Sequence, residues 1–123
     1  MLKKRILIVD DEPDLVETIQ MTLELEDYEC LVAFDGNRGL ERARKEKPDL
    51  IILDVMLPGI NGFKICRLLK FDEKYKRIPI IMLTAEAQDQ DRLTGEETGA
   101  DFYMTKPFSA DKLLAKIAEF LGE

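Results

Sequence analysis

The sequence predicts an α/β protein in which a doubly wound, parallel five-stranded sheet is covered by five helices. Short apolar runs alternate along the whole chain with longer segments of helical periodicity, which is the pattern of successive β-α-β units. The strongest runs are continuously apolar rather than alternating, so both faces of those strands are destined for burial, as in a parallel sheet. Polar and charged residues stand directly after the runs, at the carboxyl ends of strands where open α/β sheets build their sites.

The first strand is Ile6-Leu7-Ile8-Val9. Pro13 suits a first helical position, and Leu15, Ile19 and Leu23 follow at four-residue spacing as the buried stripe of a helix. A weaker strand is Cys30-Leu31-Val32-Ala33, after which Gly36 or Asn37 opens a helix through Lys45 that ends before Pro48. Leu50-Ile51-Ile52-Leu53 is the third strand, and a helix from Gly62 through Leu69 places Ile65, Cys66 and Leu69 on one face. Ile80-Ile81-Met82-Leu83 is the fourth strand. The segment Asp89–Thr98 reads as a helix weakened by Gly95. Phe102-Tyr103-Met104 is a weak fifth strand, and Ser109 caps a last helix whose stripe is Leu113, Leu114, Ile117, Ala118 and Leu121. Periodicity gives this class of fold; the order of the strands it does not give.

At 123 residues the chain suits one domain, and a 46% hydrophobic composition supplies a core. No linker, repeat or low-complexity tract divides it, so one domain over 1–123 is expected, with no output domain in this sequence. The net charge is −7 and the 18 basic residues form no stripe, which disfavours direct nucleic-acid contact. The apolar runs are too short for a membrane span, and "MLKKRILIV" meets acids before it could serve as a signal-peptide core, so cytoplasm is the expected location. Charged residues make up 35% of the chain, against about 25% in ordinary domains, which fits a heavily solvated helical surface or a thermophilic source. Cys30 and Cys66 lack metal-site spacing and read as reduced structural thiols. Histidine is absent, which removes imidazole metal sites and His-activated nucleophiles.

In "ILIVDDEPD" the first strand runs straight into Asp10, Asp11 and Glu12, with Asp14 beyond. Two carboxylates about 4 Å apart repel by about 4 kcal/mol at an effective dielectric of about 20. The third run ends in Asp54, the fourth in Thr84, and the fifth region in Lys106. In a parallel sheet all of these project at one edge, so three carboxylates, a hydroxyl and an ammonium share one mouth. Oxygen donors of this kind suit a hard divalent cation, Mg²⁺ above all, which would relieve the repulsion. Each residue alone has a plain structural explanation, as a turn aspartate, a hydroxyl cap or a solvated lysine. None of those explains the set. Glu12 and Asp14 are read as first-turn charges favourable to the helix dipole.

The segments "LIVDDEP", "DLIILDVMLPGINGF", "PIIMLTA" and "GADFYMTKPF", in this order, make the chain resemble the receiver domain of bacterial response regulators, the CheY-like family. The resemblance runs from about Lys4 to about Leu121. It implies a flavodoxin-like sheet of order 2-1-3-4-5 and a two-component phosphoacceptor rather than an enzyme acting on other substrates. Asp54 would accept the phosphoryl group. Mg²⁺ would be held by Asp10, Asp11, Asp54 and the backbone carbonyl of Met56, with Asp10 acting largely through a metal-bound water. Lys106 would contact the phosphoryl group, Thr84 would move to hydrogen-bond it, and Tyr103 would swing inward as the switch. The Lys106–Pro107 bond would be cis. By the same resemblance, Met56 and Glu86 would occupy positions that tune phosphate lifetime. A sensor histidine kinase or phosphotransfer protein would be the donor. A protein target would bind the face of the fourth helix, fifth strand and fifth helix, with the chain a monomer or dimerising on phosphorylation.

Three other readings fit such a sheet less well. An aspartyl-nucleophile phosphatase would carry an acid two residues after its nucleophile, where this chain has Met56. A flavodoxin-like FMN binder would cradle phosphate after the first strand, where "DDEPD" repels it. A pseudo-receiver, folded alike but serving as an unphosphorylated interaction module, would not need the full set of Asp10, Asp11, Asp54, Thr84 and Lys106.

Overall fold

The computed structural model describes residues 2–85 and 99–123. Five strands, β1 (Arg5–Val9), β2 (Glu29–Ala33), β3 (Leu50–Asp54), β4 (Ile80–Thr84) and β5 (Phe102–Thr105), form one sheet in the order β2-β1-β3-β4-β5. Every neighbouring pair is parallel. Among the described residues there are four helices, α1 (Pro13–Leu25), α2 (Gly36–Glu46), α3 (Gly62–Lys70) and α4 (Ala110–Leu121). The helix expected over Asp89–Thr98, with Gly95, lies outside the described residues, so the expected count of five becomes four here.

Strand side chains alternate between faces, and the core accordingly divides in two. Ile6, Ile8, Ile52, Ile81 and Leu83 pack with Val16, Ile19 and Leu23 of α1 and Leu113 and Ile117 of α4. Leu7, Val9, Ile51, Leu53 and Met82 pack on the other face with Leu40 and Ala43 of α2 and Ile65, Cys66 and Leu69 of α3. β3 and β4 are buried along their whole length, and β1 from Ile6 onward. That is why their sequences are continuously apolar. β2 and β5, at the edges, are only half-buried, and their sequences are correspondingly weaker. The stripe of α4 is narrower than expected: Leu113 and Ile117 are buried, while Leu114, Ala118 and Leu121 are half-buried. Among the described residues no helix is long and apolar enough to cross a membrane.

Helix starts are fixed by side chains that accept orphan backbone N–H groups. Ser109 accepts from Lys112 N at 3.1 Å, Asp35 from Arg38 N at 2.8 Å, and Asn61 from Lys64 N at 3.0 Å. Glu12 holds the same position in α1 but makes no such bond. Gly62 is required where it stands: a Cβ there would lie 2.1 Å from the Asp54 carbonyl oxygen. Only glycine lets α3 begin directly against the end of β3, with Gly62 N donating to Val55 O at 2.8 Å.

The register sets the geometry of the carboxyl edge. Val9 stands opposite Leu53, so the next residues, Asp10 and Asp54, are neighbours. Asp54 stands opposite Leu83, and Thr84 opposite Thr105, so Thr84 and Lys106 follow one step further across the sheet.

Candidate functional site

Among the described residues, Asp10, Asp54 and Thr84 are the buried polar ones at this edge. The Asp10 main chain continues the sheet by donating to Ala33 O at 3.2 Å, and its Oδ1 accepts from Glu12 N at 3.0 Å. Carboxylate oxygens of Asp10, Asp11 and Asp54 all lie within 4.8 Å of one another, with Asp11 exposed. Hard oxygen donors at this spacing fit one small divalent cation, and the exposed Asp11 leaves room for the waters that Mg²⁺ retains.

Lys106 reaches this cluster from just beyond β5. Its main-chain N donates to Thr84 O at 2.7 Å, and its peptide bond to Pro107 is cis. Its Nζ lies 3.0 Å from Asp10 Oδ2, 3.2 Å from Glu12 Oε1 and 3.3 Å from Asp54 Oδ1. The contact with Asp10 is an ion pair without hydrogen-bond geometry. Glu12 corrects the expectation from the sequence. With extended backbone at the N-cap position, its carboxylate turns to Lys106 and does not serve only the start of the helix.

One ammonium does not neutralise this cluster. Burial first and the Asp10 charge second push the Asp54 carboxyl up, Lys106 pulls it down without cancelling the rise, and Asp11 adds a smaller push, for a net change from 3.8 to about 6. Burial pulls the Lys106 ammonium down, but the close contact with Asp10, the charges of Asp54 and Asp10 and the bond to Glu12 together outweigh that and leave it raised. Above about pH 6, Asp54 is therefore an ionised carboxylate in a buried, electronegative cleft.

The family model for the response regulator receiver domain matches residues 6–118. The chain belongs to the response regulator receiver family. The receiver is 47% identical over 121 residues to the phosphate regulon transcriptional regulatory protein PhoB of Pseudomonas aeruginosa, covering 98% of this chain and 53% of PhoB. It is 44% identical over 117 residues to the DNA-binding dual master transcriptional regulator RpaA of Synechocystis sp., covering 95% of this chain and 48% of RpaA. The chain thus spans about half the length of these curated relatives. Among solved structures, a CheY-like response regulator receiver domain protein of Methanospirillum hungatei superposes with a TM-score of 0.92 at 31% identity, covering 98% of this chain and 95% of that one.

The remaining expected residues of the receiver fall as follows. Thr84 ends β4, 5% exposed. Tyr103 in β5 is half-buried against the face that carries α2 and α3. Met56 is 72% exposed, two residues past the end of β3. Glu86 lies outside the described residues, as does the 89–98 part of the expected target-binding face. The thiol of Cys30 is pushed up to about 11, first by burial and then by Glu24 and Glu29, which keeps it protonated and unreactive. Glu12 is a site residue that the sequence alone places at the start of the helix. Its only local signal was a third acid directly after the Asp pair.

Proposed function

We propose that this receiver is the phosphoacceptor of a two-component system, taking a phosphoryl group from a phosphohistidine of a partner kinase or phosphotransfer protein onto Asp54. The observation that carries the reading is the buried Asp54 carboxylate, 3.3 Å from Lys106 and clustered with Asp10 and Asp11. Asp10, Asp11, Asp54 and the Met56 carbonyl would hold Mg²⁺, which when bound supplies positive charge beside the phosphoryl oxygens. An oxygen of Asp54 attacks phosphorus in line. The new O–P bond forms as the N–P bond breaks, and its electron pair stays on the partner's imidazole. No general base is needed, because the acceptor is ionised near neutral pH. Lys106 donates to a phosphoryl oxygen, and the Thr84 hydroxyl moves to another.

In place of the single charge of the Asp54 carboxylate, the acyl phosphate carries about −1.5 to −2 of charge if it behaves like other phosphorylated side chains. That charge biases a two-state equilibrium in which Tyr103 follows Thr84 and alters the face built on β5 and α4. A protein target reads the change there, in the cytoplasm, without direct nucleic-acid contact by this chain. Met56 offers no group to orient an attacking water, so the acyl phosphate is expected to persist over minutes or longer.

The test uses acetyl phosphate or beryllofluoride with Mg²⁺ on wild type and Asp54→Ala. With acetyl phosphate, wild type is expected to gain one phosphoryl group by intact mass and Asp54→Ala none; with beryllofluoride, wild type alone should bind the mimic. Equal behaviour of the two would leave an unphosphorylated interaction module as the better reading. Mg²⁺ alone should raise the melting temperature, and Asp10→Asn or Asp11→Asn should diminish that increment. Met56→Asn should shorten the lifetime of the acyl phosphate; an unchanged lifetime would remove Met56 from that role.

A further inference from the structure

Lys106 faces competing demands. An ammonium has three donors, and three carboxylates stand around this one, at 3.0, 3.2 and 3.3 Å. Two of them, Asp10 and Asp54, are buried and belong to the oxygen cluster fitted for the cation. The third, Glu12, is outside that cluster, 61% exposed in its side chain, and has no capping bond to hold it at the start of α1. If Lys106 had only Asp10 and Asp54 to pair with, it would settle on the two carboxylates that have to be free as ligand and nucleophile. We propose that Glu12 is a positioning residue for Lys106, taking a share of the ammonium so that Asp10 and Asp54 stay open to the divalent cation. The inference rests on the phosphoacceptor reading above.

A simple charge effect predicts something different. Glu12 also adds negative potential that attracts a cation from a distance, whatever its reach. Glu12→Asp separates the two effects, because it keeps the charge but is one methylene too short for the contact. Asp14→Asn is the control: it removes a charge from the first turn of α1 without touching Lys106.

Mg²⁺ affinity is measured by calorimetry on wild type, Glu12→Asp, Glu12→Gln and Asp14→Asn, with melting in EDTA as the check on folding. An exposed ion pair of this kind is worth a modest amount, so Glu12→Asp and Glu12→Gln should each weaken Mg²⁺ binding about two- to fivefold. Asp14→Asn should leave it unchanged. The rate with acetyl phosphate should need more Mg²⁺ in both Glu12 variants and reach the wild-type maximum once Mg²⁺ saturates. A Glu12→Asp affinity equal to wild type would overturn the inference, whether or not Glu12→Gln changed, and so would tighter binding in either variant. A shift in EDTA melting without a shift in Mg²⁺ affinity would make Glu12 merely structural and would also overturn it. Failure of wild type itself to bind Mg²⁺ would defeat the phosphoacceptor reading and the inference together, a result distinguishable from all the others.

Discussion

The two edges of the sheet handle acids in opposite ways. At the amino edge four carboxylates are shared out between two basic side chains and two main-chain N–H groups. Asp49 accepts from Arg5 N at 2.7 Å, and Glu46 and Glu29 pair with the Arg5 guanidinium at 2.7 and 3.4 Å. Asp101 accepts from Lys70 Nζ at 2.9 Å and from Ile80 N at 2.8 Å. At the carboxyl edge, Asp10, Glu12 and Asp54 crowd one ammonium, with Asp11 beside them. The amino edge spends its charges on holding strand starts in register. The carboxyl edge keeps a surplus of negative charge, and that surplus is what makes a site there.

The largest expected effect follows from removing part of the surplus. The Asp54 carboxyl lies at about 6 in the fold against 3.8 ordinarily, so the native state binds this proton more tightly than the unfolded chain. A raised carboxylate costs no stability below the lower value; the cost grows as pH rises through the window from 3.8 to about 6 and is complete above it. Each unit of difference corresponds to about 1.4 kcal/mol, so the stability of Asp54→Asn relative to wild type should improve by about 2–3 kcal/mol between pH 4 and pH 7. Urea denaturation in EDTA across that range checks it. A difference between variant and wild type that does not change with pH would mean that neither burial nor the neighbouring acids raise Asp54, and that the contrast between the edges is only apparent.

What could be read from the sequence divides along the same line as the physics. The class of fold was legible because β1, β3 and β4 are buried on both faces, which demands continuous apolar runs. The weak edge strands were legible for the complementary reason. Strand order depends on which way each crossover turns, and periodicity carries no record of that; it came only with the resemblance to receivers. The sequence marks Ser109 as a cap, whereas Asp35 and Asn61 stay hidden in it, because the neighbouring glycines and asparagine are equally plausible helix starts. At the site, Asp10, Asp11 and Asp54 could be grouped once the strands were taken as parallel, since their places follow from register alone. Glu12 could not. Its partner Lys106 is 94 positions away, while an acid beside the first turn of a helix already has an ordinary local explanation.

The amino edge supplies the smaller test, since its acids are expected to matter for stability and for nothing at the site. Asp101→Ala removes the acceptor of Ile80 N, on a fully buried residue at the start of β4, and takes the carboxylate from Lys70. An orphaned buried donor costs about 1–3 kcal/mol, and Lys70 keeps its bond to Ile78 O at 3.0 Å, so a loss of about 2 kcal/mol is expected in urea at pH 7. Glu29→Ala is the internal comparison. Its side chain is 54% exposed and its pair with Arg5 is the longest at that edge, so it should cost less than about 1 kcal/mol. Both variants should retain the wild-type Mg²⁺-induced rise in melting temperature, because neither residue touches the carboxyl edge. If Asp101→Ala abolished that rise while remaining folded, the two edges would be coupled through β4, and the division of labour between them would not hold.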